Sequence, residues 1–139
     1  VSRHMECFMR ITTVSLAVLA AISATAPLIP ARADALQESL QKLPPEERVR
    51  QVCMMKGLDR MRSDKRLPGA DRMKSSILVP AQLKGEILTA KGGAVRSKHH
   101  WFEISFTCEV TKDLMKATTF NYEIGAEIPA DKWEDLGLW

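Results

Sequence analysis

Few side chains in this sequence could do chemistry. His99, His100 and Glu103 form one histidine–carboxylate group late in the chain. A metal ion needs side chains that converge on it. If the stretch is a strand, neighbouring residues point to opposite faces, so His99 and His100 do not share an ion. His99 and Glu103 would share a face but stand about 13 Å apart along it, too far for joint ligation. One enzymatic reading stays open, with His99 and Glu103 as an acid–base pair acting on an envelope polymer. It requires both groups to line one cleft. Ser105 and Thr107 have no nearby base in sequence. There is no GxSxG elbow, glycine-rich phosphate loop or HExxH pair. No catalytic residue, metal or cofactor is expected.

Trp101 falls on the same strand face as His99 and Glu103. The three make a candidate binding surface, an aromatic among polar neighbours that could anchor a partner or a sugar ring. The competing arrangement is the favoured one: the C-terminal tail, which carries Trp133 and Trp139, covers Trp101, because small domains tend to bury their few tryptophans. The basic residues Arg60, Arg62, Lys65, Arg66 and Arg72 read as a solvated loop rather than an anion site.

The N-terminus sets the compartment in which this chemistry would operate. Arg3, His4 and Arg10 give a positive start, and residues 14–22 (VSLAVLAAI) an apolar core. Pro27 and Pro30 are expected to break any helix, and Ala31-Arg32-Ala33 offers small residues before a cut at Asp34. That is the layout of a cleavable signal peptide over residues 1–33, with a second possible cut after Ala26 and Met5 or Met9 as alternative starts. A retained membrane anchor would need roughly 20 consecutive apolar residues, more than this core supplies. The expected product is an exported, periplasmic chain of residues 34–139, touching the membrane only through its leader. The whole chain carries a net charge of +3, but the leader takes Arg3, Arg10 and Arg32 against Glu6 alone. What remains is close to neutral, which removes the electrostatic case for nucleic acid. The leader also takes Cys7 and leaves Cys53 and Cys108, an even pair in an oxidising compartment, which reads as a disulfide. Such a bridge stabilises by roughly 3–4 kcal/mol in the loop-entropy model.

The elements that position these groups follow from periodicity. Residues 35–43 (ALQESLQKL) have helical spacing, with Asp34 as a cap and Pro44-Pro45 as a stop. Pro45 opens a second helix to about Arg62, its start suited by Glu46 and Glu47. Residues 63–71 read as a polar loop, residues 73–79 and 86–90 as short strands, and Lys91-Gly92-Gly93 as a turn. Residues 99–110 (HHWFEISFTCEV) alternate strictly and make the clearest strand. Residues 115–124 return beside it, Gly125 ends them, and residues 130–136 make a last helical turn. Helices followed by antiparallel strands point to one α+β domain over residues 34–139, with the helices packed on a three- to four-stranded sheet. Cys53 on the apolar face of the long helix and Cys108 on the core face of its strand would then meet.

The blocks LPPEERVRQVC (43–53), WFEISFTCEVT (101–111), FNYEIG (120–125) and IPADKWEDLGLW (128–139), in this order, resemble a bacterial domain-of-unknown-function family, number 930. The resemblance implies exported single-domain proteins and supplies no activity, substrate or cofactor. The functional expectation is therefore a non-enzymatic binding module of the cell envelope, whose partner is an envelope protein or polymer. The alternatives are the His99/Glu103 hydrolase and a membrane-anchored structural protein.

Overall fold

The structure, a computed structural model, describes residues 29–139. The charged start and apolar core of the expected leader lie outside the described residues. Two helices, α1 (Ile29–Gln41) and α2 (Pro45–Arg62), precede five strands: β1 (Ala70–Lys74), β2 (Gln82–Lys84), β3 (Ile87–Ser97), β4 (His100–Val110) and β5 (Ala117–Ile128). A 3₁₀ turn, Ala130–Lys132, leads into the tail. The class is α+β, with five strands in place of three or four. No helix among the described residues is long and apolar enough to cross a membrane.

The described part of α1 extends upstream of the helix expected from Ala35 and includes Pro30. α1 buries Leu40, while residues 32–39 are exposed. Arg48 of α2 fastens its end by donating from Nε to the Leu40 carbonyl at 2.9 Å and from Nη2 to the Gln41 carbonyl at 2.9 Å. α2 starts where proline chemistry places it, with Pro45 in the first turn, Glu46 and Glu47 beside it, and Arg60 and Arg62 in the last turn. Its buried stripe is Val49, Val52, Cys53, Gly57 and Met61. Gly57 sits there because a ring occupies the space: a Cβ would lie 2.5 Å from Phe120 Cζ.

The sheet is antiparallel in the order β1-β3-β4-β5, and β2 pairs with β3 further along the same edge as β1. Strand boundaries depart from expectation around the glycines. β3 runs straight through Lys91-Gly92-Gly93, which form a bulge between the pairs Ala90↔Phe106 and Gly93↔Ile104. β5 runs through Gly125, with its own bulge between Phe102↔Glu127 and Ile104↔Ile124. β1 ends at Lys74, so residues 75–79 are loop rather than strand. β2 was not foreseen.

One sheet face packs on α2. Val49, Val52, Cys53 and Met61 meet Leu88, Val95, Ile104, Phe106, Cys108 and Phe120, all buried. Cys53 and Cys108 form the expected disulfide across this interface, with Cα atoms 6.0 Å apart and a sequence separation of 55. In the loop-entropy model a closure of that length stabilises by about 4 kcal/mol. A second, smaller cluster lies on the opposite face, where Ala94, Trp101 and Ile128 are covered by Leu138, Leu136, Trp133 and Ile77. The tail is tied down by polar contacts. Trp133 Nε1 donates to the Ile128 carbonyl at 2.8 Å, Arg72 Nη1 to the Trp139 carbonyl at 2.6 Å, and Lys74 Nζ to the Gly137 carbonyl.

Candidate functional site

The three residues of the candidate surface occupy different settings in the fold. His99 lies in the two-residue turn between β3 and β4, where Lys98 and His99 have φ of 47° and 67°. Tight hairpin turns matching the strand twist require positive φ at both positions. The clear strand therefore begins one residue later than expected, at His100. Trp101 is only 1% exposed, beneath the tail, so it is no aromatic platform. Glu103 is exposed on the open part of the same sheet face. His99 is not among the residues lining the hollow that holds Glu103. His100 faces a different neighbour, with its Nδ1 2.6 Å from Glu127 Oε1 at the surface. Among the described residues, no three His, Cys, Asp or Glu side chains are placed to hold a metal ion.

The open sheet face does carry a concave site. In β3, Leu88 and Ala90 face α2, so Ile87, Thr89 and Lys91 face the other way. In β4 the same alternation turns Glu103, Ser105 and Thr107 outward, between buried Ile104, Phe106 and Cys108. The register sets Ser105 opposite Glu123, and Gln82, Thr89, Thr107 and Asn121 in one row across four strands. Three adjoining hollows of about 290, 380 and 240 Å³ share Lys91 and form a trough over this face. The part between the two bulges includes Lys91, Glu103, Ser105, Glu123 and Gly125. One wall is the segment Ile77, Leu78 and Val79, with Leu78 72% and Val79 50% exposed. Gly92 lets this wall come close. Its carbonyl accepts from the Ile77 amide at 2.8 Å, and a Cβ on it would lie 3.3 Å from Val79 N. Gly125 is bare beneath Glu103, whose Cβ and Oε2 would lie 3.0 and 3.3 Å from an added Cβ.

A family model, Domain of Unknown Function (DUF930), matches residues 40–138. The chain belongs to the DUF930 family. No curated protein and no solved structure matches it. The matched span of this DUF930 domain begins at Leu40, the buried end of α1, and takes in both cysteines, the trough and the tail.

Charged groups with shifted titration lie away from the trough. Arg66 beside Asp64, with the Tyr122 hydroxyl donating to the same carboxylate at 2.7 Å, holds Asp64 well below the usual carboxylate range. Arg96 lowers the titration of Asp71, and the Thr111 hydroxyl that of Asp113. Burial pushes the Tyr122 hydroxyl up, and its bond to Asp64 adds to this. These groups tie loops to the sheet. The basic run is similarly engaged, since Arg62 donates to the Ala70 carbonyl and Arg66 to Asp64. Sequence reasoning singled out Glu103, set Ser105 aside for want of a nearby base, and missed Lys91, Glu123 and the apolar wall. The available signals were Gly92-Gly93, absorbed by a turn reading, and the apolar run ILVP (77–80), read as the end of a strand.

Proposed function

We propose that this DUF930 chain is an exported, non-enzymatic binding module of the cell envelope, periplasmic once freed of its leader. The trough on the open sheet face carries the binding half of this reading. It offers outward hydroxyl, amide and carboxylate groups on a rigid sheet, with an exposed apolar wall at one side. The export half rests on the leader-like sequence and on a buried disulfide, a bond suited to oxidising compartments. A cut after Ala33 leaves Leu40, the buried residue of α1, in the mature chain.

The test uses one periplasmic preparation. Its intact mass should start at Asp34 and gain two protons on reduction. A photocrosslinking residue at Thr107, in the trough, should yield a discrete adduct that the same residue at Asp59, exposed on α2, does not. An uncleaved chain in the membrane fraction would overturn export. Identical adduct patterns from the two positions would overturn the trough as the binding surface.

A further inference from the structure

We infer that the part of the trough between the two bulges binds a zwitterionic aliphatic amino acid. The inference names a ligand class for the binding reading above and does not depend on export.

Glu103 and Ser105 project from β4 two residues apart, and Glu123 projects from β5 opposite Ser105. The two carboxylates thus line one hollow on one sheet face with Ser105, Glu103 lying at the bulge between β4 and β5. Among the described residues, none of these three side chains makes a hydrogen bond or ion pair within the chain. An ammonium group carries three donors and no acceptor. Glu103, Ser105 and Glu123 line one hollow and offer it acceptors that suit those three donors. Two carboxylates and a hydroxyl at this spacing are a poor metal set, since oxygen-ligated cations take six or more ligands.

Two further observations narrow the ligand. Lys91 enters the same hollow from β3, and it also lacks a carboxylate partner among the described residues. It supplies a cation for a ligand carboxylate next to the ammonium. The wall of Leu78 and Val79, fixed to the β3 bulge through the Ile77–Gly92 hydrogen bond, leaves apolar surface facing the hollow. An aliphatic side chain would cover it. The hollow of about 290 Å³ holds a ligand of this size. Two carboxylates and one lysine leave an excess negative charge, which favours the ammonium end over a simple carboxylic acid.

The test is a titration of the oxidised chain with three probes, read by backbone amide NMR shifts. L-Leucine carries both charges, 3-methylbutylamine lacks the carboxylate, and 4-methylpentanoate lacks the amine. Saturable shifts at Glu103, Ser105, Glu123 and Gly125 are expected with leucine, weaker ones with the amine, and none with the acid. Glu103→Gln with Glu123→Gln should weaken leucine at least about tenfold, since two charge-assisted hydrogen bonds are lost. Lys91→Gln should bring leucine down to the level of the amine. All three positions are outside the core, and unchanged thermal unfolding checks that the variants fold. No saturable shift with leucine, an acid that binds as well as leucine, or a double variant that binds unchanged would each overturn the inference. A Thr107-specific adduct together with no leucine shift would overturn the ligand class and leave the trough as a binding surface.

Discussion

Gly57 shows how one residue can carry opposite signals. In a helix interior, glycine costs about 1 kcal/mol relative to alanine, so Gly57→Ala looks stabilising from sequence. In the fold a Cβ there meets the Phe120 ring and Met73 Sδ at 2.5 and 2.8 Å, and both residues are buried. Overpacking of this kind costs about 1–3 kcal/mol. Gly57→Ala should lower the thermal midpoint by a few degrees, measured by circular dichroism, and a rise would mean that Phe120 moves aside freely. The hairpin turn offers the opposite case. Lys98 and His99 hold a left-handed backbone that suits Asn-Gly far better, so Lys98→Asn with His99→Gly should stabilise by about 1–2 kcal/mol. The denaturant midpoint would rise with unchanged slope. Asp64 sets a pH dependence. Arg66 and Tyr122 lower its titration in the folded chain, so the stabilisation is present above the unfolded value of about 3.9 and is lost as pH falls further. The stability gap between the wild type and Asp64→Asn should therefore shrink below about pH 4 in an acid series of thermal melts.

Among the elements, α2 and β4 were legible because their signals are local. Proline and glutamate at the start of α2, and strict alternation in β4 from Phe102 onward, are independent of the partner that covers them. β3 was cut short because Gly92-Gly93 reads as a turn. Only pairing with β4 on one side and β1 on the other keeps the chain extended through the bulge. Gly93 is needed there because a Cβ would stand 2.9 Å from the Lys74 carbonyl oxygen. The same limit hid the trough, since a bulge moves outward residues into register with groups on other strands. The disulfide lies between the two legible elements. Replacing both Cys53 and Cys108 by alanine should cost about 4 kcal/mol in denaturant unfolding, and a loss below about 1 kcal/mol would show that the unfolded chain gains little freedom.

At the scale of the molecule, the sheet is covered on both faces but unevenly. α2 covers one face, and the tail covers one end of the other. Leu138, 3% exposed, closes the small cluster over Trp101. Leu138→Ala should destabilise by about 2–4 kcal/mol and expose indole to solvent, seen as red-shifted tryptophan emission. The sequence by itself determined the class, the long helix, the central strand, the cysteine pair and the family, because periodicity, breakers and ordered motifs are properties of short segments. Only the tertiary structure decided that Trp101 is core, that His99 is a turn residue, and that Lys91, Glu103, Ser105 and Glu123 face one hollow. Alternation tells which side of a strand a residue takes. It does not tell what lies over that side, and register across bulged strands is set by pairings between residues distant in the chain.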